Sequence, residues 1–579
     1  MSFSNLVELK TFNVFPEYFI GISALYILIV IILITYNVYG LILQKAVSEC
    51  MGLILLLACY LILNDDLVVS TNGFGLYSTL GFYKSNIMDY FAVFTKCIVC
   101  FFSALYFFII ADFLKDYKLF SFEYLLVLLF AVLGLMMLCS SNDLLTAYLS
   151  IELVSLSSYI LAAFKKTSSY SVEAGIKYLV IGAISSAFFL LGSSFIYAYS
   201  GSLSINDLWS IFSDETWFKQ DKFYWQQLYS NWHTSELESN FISTTLNWDQ
   251  WIHLIYVSQL LAFKNFLLNG GKEFLETLQV LEPFLEVGIT FVIFSLFIKL
   301  ALAPFHLWSL DVYEGSPTIS TFFFAVITKL SFFVFLVRFS YIAILWYHDT
   351  WQFYTVIIGL FSVFVGSFGG LRQRKLKTLL AYSSVSHMGY ALLAFSASTR
   401  FGVGMLLFYL VIYMLSGLCV WFIVLALKIN KKSYTDKYNK ELGDLILLHK
   451  SNPSLAFSLA LTMFSIAGIP PLIGFFAKMG VFLSILYTKY YFIALLTILC
   501  SVVSTFYYIR IIKVLYFENL LVGKLYHPIT TVKTIFFSFS IILLLFLFIN
   551  PSFLYLIIYK VVYCSFPADI FTFFFFDKV

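Results

Sequence analysis

Apolar runs long enough to cross a bilayer recur along nearly the whole chain, near residues 18–36, 46–63, 88–111, 122–139, 142–164, 173–199, 286–308, 318–344, 353–370, 376–397, 401–428, 453–487, 489–516 and 534–560. A hydrocarbon core takes about 20 apolar residues per helix, so these runs predict about 14 transmembrane helices. Backbone groups in lipid have no water to bond, which leaves only helices or a closed barrel. The runs lack the alternation over about ten residues that marks barrel strands. The predicted fold class is an all-α polytopic membrane protein. With 61% hydrophobic and 12% charged residues and a mean hydropathy of +0.91, room for a polar domain remains only near 203–285.

Several function classes fall away. A net charge of +3 without a long basic tract argues against nucleic acid. The eight cysteines are scattered, mostly in apolar runs. Cys97 and Cys100 form a CxxC inside a span, with no second pair at metal-ligand spacing, and read as small core hydrophobes. No GxGxxG follows a strand and there is no P-loop, so no cofactor is expected on this chain. The opening MSFSNLVELKTFNVFPEY is neither the basic start of a cleavable signal nor an Arg-rich transit helix. The 67 Phe and 40 Tyr beside 10 Pro fit an AT-rich coding sequence. Both features lean towards an organelle-encoded chain.

Loop charge gives an orientation. Lys45, Lys115, Lys118, Lys165, Lys166, Arg372, Arg374, Lys375, Lys377 and the loop with Lys428, Lys431, Lys432, Lys437 and Lys440 fall on one side. Asp65, Asp66, Asp143, Asp349 and the insert near 203–285 fall on the other. The positive-inside rule then fits an even number of spans with both termini outside, and in a mitochondrion the basic side would be the matrix. The insert is rich in tryptophan and acids, and its QLLAFKNFLL stretch suits a membrane surface. It reads either as a docking element for accessory proteins or lipid, or as a tolerated loop expansion.

Against this background, a few charges inside the spans stand out. Lys299 lies in FVIFSLFIKLAL (291–302), followed at once by Pro304. An ammonium in hydrocarbon must find a partner, water or loss of its proton. Lys478 lies in a second interrupted segment, after Gly468, Pro470, Pro471 and Gly474. Breaks at membrane depth persist only where the freed backbone is buried in protein or faces a water-filled cavity, and one discontinuous helix in each half is the mark of a duplicated transporter. Glu152 has serines 150, 155, 157 and 158 for company, and its neighbours decide whether it is charged. Lys329 sits in FFFAVITKLSFFVFL, too deep to snorkel, and His387 lies among Ser383, Ser384, Ser386 and Tyr390. Histidine suits a proton relay but is as often a packed core residue. Glu173 and Lys177, four apart, share a helix face as a Glu-to-Lys pair, either interfacial or part of a coupling system. His306, Asp311 and Glu314 fit no zinc spacing and read as caps on the break after Lys299.

KLALAPFHLWSLDVYEGSP (299–317), KTLLAYSSVSHMGYALLAF (377–395), GIPPLIGFFAKMGVF (468–482) and SVEAGIKYLVIGAISSA (171–187) together resemble the antiporter-like subunits of respiratory complex I over about 120–500. The resemblance implies two inverted five-helix repeats with discontinuous helices. The implied parts are N-terminal helices 1–3 (1–118), a first half (119–202 and 286–345), the insert (203–285), a second half (346–516) and a C-terminal helix with tail (517–579). It further implies that Glu152, Lys299, Lys329 and Lys478 form a hydrated proton axis, with His387 on the tenth span and Glu173–Lys177 as a coupling pair. Lysine at 478 favours the subunit 2 type, since the subunit 4 type carries glutamate there; the subunit 5 type has a lateral helix that this chain lacks.

The implied function is proton translocation coupled to quinone reduction in other subunits. NADH, FMN, iron–sulfur clusters and ubiquinone would be held by partner chains. The implied partners are other membrane-arm subunits, including the subunit 4 type and small subunits, and lipids such as cardiolipin; the implied location is the mitochondrial inner membrane. A cation/proton antiporter or membrane-bound hydrogenase subunit of the same fold remains an alternative. So does a structural scaffold, although a scaffold has no use for two broken helices.

Overall fold

In a computed structural model, the structure describes residues 15–34, 40–70, 79–81, 85–116, 119, 121–212, 272–427, 441–446, 448–518 and 531–566. Its helices of nine residues or more are α1 (Phe15–Ile34), α2 (Gly40–Ser70), α3 (Tyr90–Ile110), α4 (Phe122–Ser140), α5 (Leu144–Ala163), α6 (Ser169–Ser200), α7 (Lys272–Leu300), α8 (Leu307–Gly315), α9 (Thr318–Val326), α10 (Thr328–Arg338), α11 (His348–Gly370), α12 (Leu376–Ser396), α13 (Arg400–Ala426), α14 (Pro453–Ala467), α15 (Ile473–Tyr487), α16 (Tyr491–Tyr516), α17 (Thr531–Ile549) and α18 (Pro551–Ser565). One short hairpin, Thr79–Gly81 with Asn86–Met88, accompanies them.

Each of the fourteen apolar runs contains helix, yet among the described residues only ten helices, or up to eleven if a bent pair counts as one span, are long and apolar enough to cross by length and composition. The shortfall has local causes. The serines and His387 lower the hydropathy of α12, which is not among the ten. The 453–487 run is split by its break into two 15-residue helices, and Phe15–Val30 is short. The last run, expected as one helix over 534–560, is bent by 83° between α17 and α18. Pro551 stands in the first turn of α18, where its missing N–H costs nothing. The 318–344 run divides between α9 and α10 and then passes into a π-helical turn, Phe339–Ala343, with no proline to announce either change.

Termini are set by ordinary capping chemistry. Asp89 accepts from the Ala92 N–H at 2.8 Å and Thr399 from the Gly402 N–H at 3.0 Å, each satisfying a free donor of the first turn. Gly468, with φ of 81°, ends α14 in the left-handed conformation that glycine alone adopts without strain.

Two sets of helices use the same neighbour relations in opposite directions. In the first, α4 packs on α5 and the broken span α7–α8 lies along α6; in the second, α11 packs on α12 and the broken span α14–α15 lies along α13. At one end of the bundle the Leu203 carbonyl accepts from the Leu144 N–H at 3.0 Å and Gln352 reaches the Ser396 carbonyl at 2.9 Å. At the other, the Arg374 carbonyl accepts from the Leu442 N–H at 2.9 Å and Lys377 donates to the Ser316 carbonyl at 2.8 Å. Helix α4 therefore runs towards the first end and α11 away from it. The second end carries Lys165, Lys166, Arg372, Arg374, Lys375 and Lys377, and the first carries Asp143 and Asp349, matching the charge segregation read from the loops. Lys118 and the 428–440 loop lie outside the described residues.

So does most of the 203–285 insert, including QLLAFKNFLL. Its first residues are not a free loop. Ile205, Leu208 and Phe212 are buried, and the Ile205 N–H donates to the Asn142 carbonyl at 2.7 Å. Its last residues, from Lys272, continue into α7.

The N-terminal helices are held by an ion pair that the sequence reading did not single out. Glu17 on α1 meets Lys96 on α3 with both side chains buried. Removing one partner of a buried pair strands the other charge, at about 3–5 kcal/mol. Lys96→Met should therefore lower the thermal stability of the detergent-solubilised protein, and Lys96→Met combined with Glu17→Gln should recover much of the loss, as read by the unfolding midpoint.

Candidate functional site

Two breaks create the site. After Lys299, α7 stops at Leu300 and the chain turns through Ala301 to a cis Ala303–Pro304 bond before α8. A helix end leaves backbone carbonyls unpaired and carries partial negative charge. Those carbonyls are taken up from elsewhere: Lys329 Nζ on α10 donates to the Leu300 carbonyl at 3.0 Å, and the Trp308 indole N–H to the Ile298 carbonyl at 2.9 Å. In the second half, α14 stops at Ala467, and Lys478 Nζ on α15 donates to the Ala467 carbonyl at 2.7 Å. Each ammonium thus lies at the negative end of a helix that its own half has interrupted. An aromatic ring stands near each, Trp308 at 6.0 Å from Lys329 and Tyr390 at 5.6 Å from Lys478.

Lys299 takes a different partner. Its Nζ donates to the Tyr159 hydroxyl at 3.3 Å, and the ring centroid is 5.8 Å away. No direct ion pair joins Glu152 to Lys299 among the described residues. Glu152 Oε2 instead accepts from Ser155 Oγ at 3.1 Å, and its buried Oε1 has no partner among the described residues. Ser155 interacts in turn with Tyr159. Positions 152, 155 and 159 lie on one face of α5 at helical spacing, so the link runs Glu152–Ser155–Tyr159–Lys299. A carboxylate seven residues before the tyrosine is two turns away, too far for its own side chain to span. Tyr159 was the missed residue, and that spacing is the signal that points to it.

His387 is held at both ring nitrogens by phenols: Nδ1 lies 2.6 Å from the Tyr409 hydroxyl and Nε2 3.1 Å from that of Tyr508. A cavity of about 20 Å³ lies between His387 and Lys478, lined also by Tyr409, Tyr413, Ser416 and Ser465. That is enough for a water molecule, and the lining offers it several polar partners. Tyr413 connects the halves, donating to the Ala325 carbonyl at 3.1 Å while its ring packs 5.3 Å from His387.

Glu173 and Lys177 stand apart from this buried line. They pair at 2.8 Å with side chains about half exposed, and Lys177 also pairs with Asp311 on α8 at 2.8 Å. Glu314 pairs with Lys375 at the start of α12. Asp311 and Glu314 thereby tie the segment after the first break to its neighbours. His306 packs near Tyr382, and no group of three or more His, Cys, Asp or Glu able to hold a metal occurs among the described residues.

One discontinuous helix in each of two oppositely directed helix sets, with a buried lysine at each break, defines a transporter-type membrane protein. Residues 141–243 and 254–504 match the family described as NADH:quinone oxidoreductase/Mrp antiporter, transmembrane, and the chain belongs to that family. The match runs well into the 203–285 insert, so the stretch it passes over is 244–253 rather than the whole insert. The chain is 31% identical over 506 residues to NADH-quinone oxidoreductase subunit N of Pelagibacter ubique, covering 87% of this chain and 89% of the relative. It is 31% identical over 482 residues to NADH-ubiquinone oxidoreductase chain 2 of Marchantia polymorpha, covering 83% and 85%. Its fold is similar to a chain in the structure of the Mrp complex from Dietzia sp. DQ12-45-1b, with a TM-score of 0.71, 16% identity and coverage of 97% and 98%.

A Cβ at Gly474 would stand 1.8 Å from the Ser465 carbonyl, whereas one at Gly443 meets nothing within 4 Å. Gly474→Ala should therefore force the two half-helices apart and destabilise by about 1–3 kcal/mol, with Gly443→Ala neutral, measured by thermal unfolding of the purified assembly.

Proposed function

We infer that this chain is a proton-translocating membrane-arm subunit of an NADH:quinone oxidoreductase, of the subunit N or chain 2 type. The observation that carries the reading is the line of buried basic groups Lys299, Lys329, His387 and Lys478, each seated on a phenol or a helix-break carbonyl rather than on a carboxylate. A lysine neutralised by a permanent ion pair could not exchange its proton readily; one held by a neutral acceptor can be loaded or emptied by a modest change nearby. The 31% identity over most of the chain to subunits of that enzyme supports this assignment over the Mrp type, for which the likeness extends to the fold.

Glu152 begins the line. A change in its charge acts through Ser155 and Tyr159 on Lys299, which passes its proton across the first break to Lys329. From there it crosses to His387 and, by way of the cavity, to Lys478. Such coupling requires at least two states that favour different protonation of these groups. The two halves are inverted repeats, 119–202 with 286–345 and 346–516, and Glu173–Lys177 with Asp311 couples α6 to the segment after the first break. NADH, FMN, iron–sulfur clusters and ubiquinone reside in partner chains. The partners are other membrane-arm subunits, including the subunit 4 type, and the 203–285 insert is a docking element for accessory subunits or lipid. The membrane is the mitochondrial inner membrane, with the basic end in the matrix.

Lys299→Ala and Glu152→Ala should each depress NADH-driven proton pumping in sealed vesicles while the assembled complex persists on a native gel stained for NADH dehydrogenase activity. Normal pumping in both variants would overturn the assignment. Recovery of the chain only in a smaller band without that activity, together with sodium-dependent proton exchange, would transfer it to the cation/proton antiporters.

A further inference from the structure

The proton line described above leaves one group of side chains unused. Tyr507 and Tyr508, adjacent on α16, are both buried, their ring centroids are 4.4 Å apart, and the Tyr507 hydroxyl donates to that of Tyr508 at 3.4 Å. Tyr508 in turn holds His387 Nε2, on the side of the ring opposite Tyr409. Neighbours on a helix project about 100° apart, so two such side chains share a buried site only when something between helices draws both in. Here Ser383 neighbours Tyr508, while Ser386 and Ser504 neighbour Tyr507. The far end of the group approaches the basic end of the bundle. A Cβ on Gly370, the last residue of α11, would meet the Tyr507 ring at 3.0 Å. One turn beyond Tyr507, the exposed Arg510 donates to the Leu371 carbonyl at 3.2 Å.

We propose that Tyr507 and Tyr508 form a second proton-uptake route, leading from the basic end of the bundle to His387 without passing through Glu152, Lys299 or Lys329. The chemistry favours a relay over simple packing. A hydroxyl both donates and accepts, and a neutral imidazole carries one donor and one acceptor nitrogen. The chain Tyr507–Tyr508–His387–Tyr409 is therefore a sequence of groups that can all reverse together. Tyr508 gives its proton to His387 Nε2 as it receives one from Tyr507, and Tyr507 is refilled from water at the basic end. At the same moment the Nδ1 proton passes to Tyr409, whose own proton leaves towards the cavity shared with Lys478. Each group ends with as many protons as it began, and neither a phenolate nor an imidazolium is formed. Rotation of the hydroxyls and of the imidazole ring then resets the line without a further proton transfer. A carboxylate on either nitrogen would hold one tautomer and stop this reversal.

This route rests on the reading of His387 and Lys478 as proton carriers. Tyr507→Phe and Tyr508→Phe keep both rings and remove only the hydroxyls. In sealed vesicles containing the assembled complex, each should lower the number of protons pumped per NADH oxidised. NADH oxidation by an artificial acceptor, which bypasses the membrane arm, should be unchanged. Tyr507→Phe leaves every contact of His387 in place, so a loss there is a loss of relay rather than of histidine packing. If both variants keep the wild-type ratio while Lys299→Ala lowers it, the second route is overturned and the proposed function stands. If Lys299→Ala keeps the ratio as well, the function reading has failed with it.

Discussion

The structure depends on a bond between a lysine ammonium and the end of an interrupted helix. Alone, each is unfavourable in a membrane: a buried ammonium lacks water, and a helix broken at depth leaves carbonyls without donors. Together each supplies what the other lacks, as between Lys329 and the Leu300 carbonyl and between Lys478 and the Ala467 carbonyl. The partial negative charge of the helix end adds to the hydrogen bond. The acceptor has no proton of its own to lose, so the lysine remains free to exchange. A carboxylate partner would hold it more tightly and make that exchange harder. The break is thus a site whose strength suits a carrier.

Much of this was legible in the sequence. The breaks were visible because proline and glycine fall inside apolar runs, and Lys299, Lys329, Lys478 and His387 stood out because a membrane run tolerates few such residues. Among the described residues, Lys165, Lys166, Arg372, Arg374, Lys375 and Lys377 gather at one end and Asp143 and Asp349 at the other, as their loops suggest. What the sequence withheld were contacts between distant segments. Nothing about Tyr159 distinguishes it from the other tyrosines of the chain until α5 is wound and the Glu152 face is followed for two turns. Glu17 lies too near the start of its run to look buried, and only the packing of α1 on α2 and α4 brings it to Lys96 on α3. The division between α9 and α10 has no proline or glycine to mark it, and Lys329 just beyond it is the one indication that the backbone changes there.

The same limit explains the span count. A span is marked by unbroken apolar length, and some of the helices that carry the site lack it. Helix α12 bears His387 and its serines, and α14 and α15 are halves of a divided span. Composition therefore misses part of the site, α12 and the divided α14–α15, although α5, α7 and the α9–α10 run, which carry Glu152, Lys299 and Lys329, are long and apolar enough to cross. Departures from the ideal pattern were better guides to the site than agreement with it.

The bend between α17 and α18 has a consequence for how the chain is made. It turns α18 so that the segment ending at Phe566 reaches back across the bundle, where Phe566 packs edge-on against Phe91 at 5.5 Å and beside Tyr341 at 6.3 Å. Phe91 stands in the first turn of α3, and every helix from α4 to α18 lies between it and Phe566 in the chain. That face of α3 thus lacks this contact until all of the helices in between have been made. Closure of such a long loop comes late and depends on everything inserted before it. The newly inserted chain therefore carries an open seam along α3 until α18 is in place, and the membrane or an insertion factor must cover that seam in the meantime.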